Sequence, residues 1–401
     1  MRQPKTILVT CLLVVLIVFF SRCFQQNTSG NDPRGRQYAG TQVCMSCHKD
    51  VFTSYTHSNH YKTSSAINND SLRKIIATAA DHFYFTDSSY IHMEEKNGAF
   101  FQSNFADGKE VMSARFDVAF GSGEKAQTFA YWQGDKVMEL PLTYFAGIRG
   151  WANSPGYSAR HASYDRVIES QCFECHGSFI GRQFVQSGAL KVEEKLDRSS
   201  VIYGIDCERC HGPAAEHVDY QTEHPSEKKA MYMTSIKSLS RQQQLDVCAN
   251  CHSGNDKAAM KSLFAFRPGD TLSNYYYPDF ESNNKEPDVH GRQLQLLRAS
   301  ICFQRSTMTC NTCHNAHESE KDQTAKFISK CMDCHHQSVH AQDMLKAKPK
   351  ITSSSLVAVN CIDCHMPLMQ SKIISFNSEA GLKNIPYFLR THRIAIYKQQ
   401  D

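Results

Sequence analysis

One short pattern, two cysteines followed by a histidine in the spacing C-x-x-C-H, occurs seven times in the 401 residues. The copies begin at Cys44, Cys172, Cys207, Cys248, Cys310, Cys331 and Cys361. They use fourteen of the seventeen cysteines and leave Cys11, Cys23 and Cys302. Random placement of residues in this composition would give roughly 0.03 copies. The repeat therefore constrains the fold more than any other feature of the chain.

Each copy carries the groups that attach a c-type haem. The two thiols bond to the porphyrin, and the histidine fills one axial position on the iron. Zinc sites also use C-x-x-C pairs, but they do not require a histidine directly after the second cysteine. Seven pairs do not divide into four-cysteine sites, and a disulfide framework would not demand the histidines. The sequence therefore predicts seven covalently bound c-type haems.

The attachment residues and the proximal ligands follow directly from the motifs, and no residue is assigned a catalytic role. The predicted attachment residues are Cys44, Cys47, Cys172, Cys175, Cys207, Cys210, Cys248, Cys251, Cys310, Cys313, Cys331, Cys334, Cys361 and Cys364. The predicted proximal iron ligands are His48, His176, His211, His252, His314, His335 and His365.

A second histidine follows two of the motifs at short range. If His314 and His317 bound opposite faces of one iron, their Cα atoms would lie roughly 13 Å apart, with metal–nitrogen bonds near 2 Å. Three extended residues span only about 10–11 Å. His217 follows His211 by six residues, and a helix of that length rises only about 9 Å. We therefore expect His317 and His217 to serve neighbouring haems, which would fix the spacing between haems.

Nineteen histidines less the seven in the motifs leave twelve, which is enough for seven irons with two histidines each. We expect no ligand role for His82, His92, His224 or His336. His57 is the alternative to its neighbour His60, which is preferred. The candidate distal ligands are His60, His161, His217, His290, His317, His340 and His392.

The first residues are typical of an exported protein. Arg2 and Lys5 precede an apolar run over residues 7–20, so we assign residues 1–23 to a signal peptide or membrane anchor. A tether through this segment, a lipidated Cys23 and a cleaved signal remain open. Residues 24–37 are polar and predict a linker. Because cysteine pairs acquire haem outside the cytoplasmic membrane, we expect the protein on the periplasmic side or at the cell surface.

The motifs are unevenly spread, since about 120 residues separate the first copy from the second. We expect a first haem segment over 38–80, a small β-rich insertion over 81–150, and a six-haem domain over 151–395 whose tail returns to supply a ligand. Hairpin dipeptides at Asn97-Gly98 and Asp107-Gly108 and a turn at Gly134-Asp135 predict an antiparallel sheet in the insertion.

Outside the insertion we expect a mainly α-helical fold with extensive loops, as in a multihaem cytochrome c scaffold. Ser240 and Gln243 have capping-box spacing and predict a helix that carries the Cys248 motif. A second helix is predicted to place Leu294, Leu297 and Ile301 on one face, with Cys302 as a buried thiol.

Four segments resemble the doubled C-x-x-C-H multihaem cytochromes: "YAGTQVCMSCHKDVFTSYTHSNH", "GIDCERCHGPAAEH", "DVHGRQLQLLRASICFQRSTMTCNTCHNAH" and "CIDCHMP". The resemblance covers roughly residues 38–395, and the family includes the tetrahaem carrier that takes electrons from hydroxylamine oxidoreductase. It implies that His217 and His317 bind other haems and that His60, His290 and His392 are distal ligands. No motif here has lysine in place of its histidine, unlike the active site of the related nitrite reductase.

These observations favour an electron carrier, in which seven closely packed haems connect a membrane or enzyme donor to an exported acceptor. Expected partners are redox proteins, with a membrane quinol-oxidising complex as one option. One alternative is an oxidoreductase with a five-coordinate haem at the Cys172 motif, acting on a small nitrogen or sulfur compound. Another is a haem-bearing structural subunit of a membrane complex. The balance of 44 basic and 40 acidic residues does not favour nucleic-acid binding.

Overall fold

The computed structural model describes residues 32–254, 258–277, 286–335, 360–377 and 384–397. Among these described residues, 29% are helical and 30% are in strands, which form several antiparallel sheets. The expectation of a mainly α-helical fold is therefore wrong. The physical reason is that a C-x-x-C-H motif needs only about one helical turn, so seven motifs do not make a helical protein.

The strands lie in one block before the second motif and in two later hairpins. They are β1 Ser64–Ala66, β2 His82–Thr86, β3 Ser89–Lys96, β4 Ala99–Ala106, β5 Lys109–Arg115, β6 Val118–Phe120, β7 Ala126–Gln133, β8 Lys136–Glu139, β9 Leu142–Phe145, β10 Gly150–Asn153, β11 Val167–Ile168, β12 Gly177–Gln186, β13 Val192–Tyr203, β14 Leu368–Asn377 and β15 Asn384–Arg390.

The helices are short, and most of them carry or flank a motif. They are α1 Thr41–Cys47, α2 Lys49–Tyr55, α3 Asn69–Ala79, α4 Ser170–His176, α5 Cys207–His211, α6 Ala215–Glu223, α7 Arg241–His252, α8 Gln293–Arg298, α9 Ile301–Gln304, α10 Thr324–Met332 and α11 Cys361–His365. Single 3₁₀ turns span Ile236–Ser238, Leu263–Ala265, Leu272–Tyr275 and Cys310–Thr312. No helix in the described ranges is long and apolar enough to cross a membrane.

The predicted hairpins of the insertion are confirmed. Strands β2 to β5 form a four-stranded antiparallel sheet in chain order. Asn97 and Gly98 join β3 to β4, and both have positive φ, as do Asp107 and Gly108 between β4 and β5. A two-residue turn with two positive φ angles matches the twist of the strands it joins, which is why Asn-Gly and Asp-Gly predict it.

A second, seven-stranded antiparallel sheet packs against the first. Its central order is β1-β6-β7-β8-β11, with β9 beside β7 and β10 beside β9. Strands β1 and β11 lie outside residues 81–150, so the sheet continues on both sides of the expected insertion. Side chains from both sheets and α3 form the largest core cluster, which contains Leu72, Phe83, Phe85, Ile91, Met93, Phe100, Ala114, Phe116, Ala119, Phe129, Tyr131, Met138, Leu140, Leu142 and Trp151.

Most of the strand residues that were not predicted from the sequence belong to two hairpins. Strand β12 pairs with β13 directly after the Cys172 motif, and β14 pairs with β15 after the Cys361 motif. Both pairs stand apart from the larger sheets in the hydrogen-bond pattern. Pro386 is tolerated in β15 because that strand has a partner on one side only.

The helix that carries the Cys248 motif is confirmed, and its Ser240–Gln243 capping box is present. The predicted helix over residues 294–302 is instead two short helices, α8 and α9, separated at Ala299 and Ser300. Leu294 and Leu297 are buried as expected, but Ile301 is 65% exposed because it begins the second helix. Cys302 is half-buried rather than buried.

Candidate haem-binding centres

The described motifs share one local structure, a short helical turn that begins at or before the first cysteine. The turn is seen in α1, α4, α5, α7, α10, α11 and the 3₁₀ turn Cys310–Thr312. Residues three apart on a helical turn point to the same side. The two thiols of a motif can therefore reach one flat group, with the next histidine directed at the same group.

Four motif histidines each face a histidine from elsewhere in the chain. Their ring centroids are 6.4 Å apart for His48 and His217, 6.1 Å for His60 and His252, 5.8 Å for His211 and His317, and 6.1 Å for His314 and His392. In each pair, one ring belongs to a motif and the other to a candidate distal ligand.

These spacings fit an iron between the two rings. Metal–nitrogen bonds of about 2 Å on both sides of one ion place two imidazole centroids about 6 Å apart. A directly stacked histidine pair in the same protein, His82 and His92, is closer, at 4.2 Å. The four wider pairs therefore have the separation that two axial ligands of one haem require.

Two of these histidines have strongly perturbed acidity. The surrounding protein removes much of the hydration of the His252 ring, which lowers its pKa to about 4. The nearby His60 adds to this shift. Burial lowers the pKa of His392 to about 4 as well, and the nearby His314 adds to the shift. Both imidazoles are neutral at pH 7, and neutral imidazole is the form that binds a metal.

His217 and His317 each face a histidine of a motif other than the one just before them. Neither ring faces the histidine of the motif just before it; instead they face His48 and His211. His217 lies on α6 and its Nδ1 is 2.9 Å from the Met231 carbonyl oxygen. A backbone contact of this kind orients the ring and leaves Nε2 for a metal.

Thiols from different motifs lie close to one another. Helix α1, which carries the Cys44 motif, contacts α5, which carries the Cys207 motif. Helix α7 of the Cys248 motif contacts both α4 of the Cys172 motif and the 3₁₀ turn of the Cys310 motif. Helices α10 and α11, which carry the Cys331 and Cys361 motifs, also contact each other. The motifs therefore form a continuous spatial series rather than separate sites.

A buried charge network joins the first motif to the third. Oε1 of Glu208, inside the third motif, accepts hydrogen bonds from the backbone N–H of Ala39 at 2.9 Å and Ala214 at 2.8 Å. Its Oε2 accepts from the N–H of Gly40 and from Arg34 at 2.9 and 3.2 Å. Burial raises the pKa of Glu208, and these donors offset part of that effect. Gly40 is the N-cap of α1, so Glu208 sets the position of the Cys44 motif.

Arg34 completes this network from the end of the predicted linker. Its guanidinium pairs with Asp32 at 2.9 Å and Asp206 at 2.7 Å, and its side chain is only 5% exposed. Asp206 also caps α5 by accepting from the Arg209 N–H at 2.8 Å. The last residues of the segment assigned to a polar linker are therefore packed against the third motif.

A second network joins motifs two, three and four through the residues between their cysteines. Arg209 donates to the Glu174 carbonyl oxygen at 2.9 Å. The Asn250 amide oxygen, in the orientation that satisfies both groups, accepts from Arg209 at 3.0 Å. Glu174, Arg209 and Asn250 each lie between the two cysteines of a motif, where C-x-x-C-H allows any residue. Charged and amide residues at these freely variable positions are the sequence signal that could have identified the network between the motifs.

The surroundings of the Cys172 motif differ from those of the four paired motifs. His176 Nδ1 lies 3.2 Å from Thr63 Oγ1. Burial lowers the pKa of His176, and the nearby His290 lowers it further. The ring of His176 has an edge contact with Phe120, at 6.1 Å between the ring centroids. Glu139 and Arg166 lie near Cys172 and influence it electrostatically.

Those two residues belong to a cluster with Tyr157. Arg166 Nε donates to Glu139 Oε2 at 2.6 Å, and its guanidinium carbon lies 4.1 Å from the centroid of the Tyr157 ring. Burial raises the pKa of Tyr157 to about 12, and Glu139 adds to the shift.

The remaining predicted ligands are placed as follows. His161 is exposed, and its Nδ1 is 3.4 Å from the Ala162 carbonyl oxygen. His365 Nδ1 is 2.9 Å from the Ala395 carbonyl oxygen, which brings the C-terminal tail onto the seventh motif. His335 is exposed at the end of the sixth motif. His340, Cys11 and Cys23 lie outside the described residues, as does the segment over 1–31.

Comparisons with known proteins agree with the motif chemistry over part of the chain. The family model for cytochrome c554 and c-prime matches residues 152–212, a range that contains the Cys172 and Cys207 motifs. The crystal structure of the outer cell wall cytochrome OcwA is similar at a TM-score of 0.47 and 16% identity, covering 86% of this chain and 80% of that one. No curated protein matches the sequence. The family match supports a c-type cytochrome with covalently bound haem.

Proposed function

We propose that this protein is an exported heptahaem electron carrier. The observation that carries the proposal is the set of four histidine pairs, each joining a motif to a histidine from a distant part of the chain. When bound, c-type haems supply reversible one-electron transfer. Two histidines on an iron leave no position for a substrate and keep the potential lower than a histidine–methionine pair would.

The role of the polypeptide is to hold the haems at fixed, short separations. His60 from the first haem segment would serve the fourth motif, His217 the first, His317 the third and His392 the fifth. Cysteines of different motifs lie near one another. Their neighbours favour the spatial order first, third, fourth, fifth, sixth and seventh motif, with the second motif beside the fourth. Such a series allows electrons to enter and leave at different ends. The donor and acceptor, including any link to hydroxylamine oxidation or to a quinol-oxidising complex, remain predictions.

Haem count and iron ligation can be tested on the purified protein. Intact mass and a pyridine haemochrome assay should give seven attached haems. Electron paramagnetic resonance of the oxidised carrier should show low-spin iron. His317→Met should raise the potential of one haem without releasing it, because methionine favours the reduced iron. His224→Met, an exposed histidine on no motif, is the matched control and should leave all potentials unchanged. Identical titrations for both variants would refute the assignment of His317.

A second candidate function rests on the Cys172 motif. The ring contact of His176 is with Phe120 and not with a candidate ligand, and the Glu139–Arg166–Tyr157 cluster lies near Cys172. A haem open on one side, next to an arginine and a tyrosine, could bind a small anion. One equivalent of high-spin iron that responds to nitrite, hydroxylamine or sulfite would favour this oxidoreductase. Uniformly low-spin iron would instead favour the carrier.

A further inference from the structure

Three side chains with metal-binding atoms meet on the four-stranded sheet, in the part of the chain without haem motifs. They are Asp81, His82 and His92, and one ligand atom from each lies within 4.8 Å of the other two. His82 on β2 and His92 on β3 are directly opposite each other in the antiparallel register. Their rings stack at 4.2 Å with an angle of 14° between planes.

The carboxylate of Asp81 faces both rings. Its Oδ1 lies 2.8 Å from His82 Nδ1, and its Oδ2 lies 3.7 Å from His92 Nε2. The other ring nitrogen of His92 lies 3.9 Å from Glu94. In metal sites, a carboxylate near the far nitrogen of a histidine fixes which nitrogen faces the ion. Glu94 is placed to direct His92 Nε2 toward Asp81.

The backbone holds Asp81 in this position. Its carbonyl oxygen accepts from the Met93 N–H at 2.7 Å. The preceding residue, Ala80, has φ of 68°, a conformation that residues with a Cβ rarely adopt. The Trp151 indole donates to the Ala80 carbonyl oxygen at 2.9 Å and secures that conformation. Packing therefore maintains an unfavourable backbone angle directly before Asp81.

We propose that Asp81, His82 and His92 form a binding site for a divalent transition metal ion of the zinc, copper and nickel group. Two imidazoles and one carboxylate suit these ions, whereas magnesium and calcium prefer oxygen ligands alone. Bonds of about 2.1 Å require ligand atoms roughly 3.4 Å apart in a tetrahedral site. Rotation of the three side chains, none of which is buried, can close the remaining distance, and water completes the coordination.

This site is separate from the proposed haem ligands. His82 and His92 are not among the candidate distal histidines, and the sequence analysis expected no ligand role for either. The reason is that the residues lie ten positions apart in the chain, and only the register of β2 against β3 brings them together. A metal here would bridge the first hairpin of the sheet without contacting an iron.

The test uses the full, haem-loaded protein after dialysis against a chelator. Isothermal titration with Zn²⁺ should show one site that magnesium at a large excess does not displace. His92→Ala and His82→Ala should each weaken Zn²⁺ binding at least about tenfold, and Asp81→Asn should weaken it less. His224→Ala, another histidine outside the motifs, should bind Zn²⁺ as the unchanged protein does. Haem content should be equal in all variants.

A spectroscopic measurement gives a second, independent readout. One equivalent of Cu²⁺ should produce a copper resonance with coupling to two imidazole nitrogens, and His92→Ala should remove one of them. The proposal is overturned if Zn²⁺ does not bind, if the His82 and His92 variants bind it as well as the unchanged protein, or if His224→Ala causes the same loss. Because haem spectra are not part of the result, failure here leaves the carrier proposal untouched.

Discussion

The two sheets before the second motif and the motif-bearing segments after it are stabilised in different ways. In the sheets, large apolar side chains fill a continuous core, and Phe83, Ile91, Phe129 and Leu140 are at most 1% exposed. The later segments have short helices and a smaller buried cluster around Leu245, which joins helices α7, α8 and α9 to the 3₁₀ turns. Buried ion pairs and motif-to-motif hydrogen bonds hold the remaining contacts.

This difference indicates what each region needs in order to fold. A close-packed apolar core is stabilised by burial of the chain's own side chains. Helices of five to seven residues are not stable alone, because the first turn is costly to form. The motif-bearing segments therefore depend on the haems as a source of apolar surface, whereas the sheets do not.

The largest expected effect is the loss of all haems. If the chain is produced where haem is not attached, the segments after residue 207 should unfold while the two sheets persist. Each haem supplies apolar surface that is buried only in the folded protein, and burying even one large apolar side chain contributes about 1.5–3 kcal/mol. Limited proteolysis with mass spectrometry should recover a resistant fragment spanning about residues 64–168.

The haem-loaded protein is the control for that experiment, and it should resist cleavage in both regions. Equal digestion of both regions in the haem-free chain would show that the sheets also depend on haem. Equal resistance would show that the motif-bearing segments fold through their own side chains. Either result would end the distinction between the two regions.

The next largest effect should come from a cavity in the sheet core. Phe129→Ala removes a ring that is 1% exposed and packs against Phe116 and Trp151. Replacing a buried phenylalanine by alanine costs about 3–5 kcal/mol. Hydrogen exchange should speed up in peptides from β2 to β10, while haem content and the visible spectrum stay unchanged.

Val111→Ala is the matched control, since Val111 lies on β5 and is 57% exposed. A surface substitution of this kind changes stability by no more than about 0.5 kcal/mol. If Phe129→Ala released haems or changed their spectrum, the sheets and the haem-bearing segments would be one cooperative unit.

The sequence predicted the sheets better than it predicted the motif-bearing segments. Asn97-Gly98 and Asp107-Gly108 identify two turns, because few residues accept positive φ at both positions. Ser240 and Gln243 likewise identify the start of a helix by a local hydrogen-bond pattern. These features depend on neighbours in the chain, so one sequence is enough to recognise them.

The motif-bearing segments depend on contacts that are distant in the chain. A pattern search finds C-x-x-C-H, but it does not show that His60 faces His252 or that His392 faces His314. Chain length excludes His314 and His317 as ligands of one iron, but it does not indicate that His317 faces His211. The β12–β13 hairpin was missed because its strands are joined by a five-residue loop and not by a two-residue turn. Arg34 was assigned to a linker because two of its acidic partners, Asp206 and Glu208, lie more than 170 residues away.

A third effect is expected where the two regions meet. Gly204 follows β13 and has φ of 66°, and a Cβ there would overlap the carbonyl oxygen of Tyr61. Gly204→Ala should cost about 2–4 kcal/mol from backbone strain and overpacking. Since Tyr61 follows His60, the shift should also alter the spectrum or potential of one haem. Chemical unfolding and a potentiometric titration measure the two effects.

Gly134→Ala separates the strain from the overlap. Gly134 also has positive φ, at 64°, but a Cβ there meets no atom within 4 Å. This variant should lose only about 1–2 kcal/mol and leave every haem potential unchanged. If the two glycine variants behaved alike, the contact with Tyr61 would not transmit strain from β13 to His60.

The smallest effect should come from the charge network between the first and third motifs. Glu208→Gln keeps the size of the side chain but turns one oxygen into a donor, which then faces N–H groups of Ala39, Gly40, Ala214 or Arg34. Leaving a buried donor without an acceptor costs about 1–3 kcal/mol.

Glu193→Gln is the matched control. It loses partly exposed pairs with Lys136 and Lys191 and should cost at most about 1 kcal/mol. Denaturant unfolding followed at the Soret band compares the free energies of unfolding of the Glu208 and Glu193 variants. Because Glu208 accepts from the N-cap residue of α1, its replacement should also weaken the hold on the Cys44 haem. If the Glu208 variant were as stable as the Glu193 variant, apolar contacts with the haems, and not polar networks, would position the motifs.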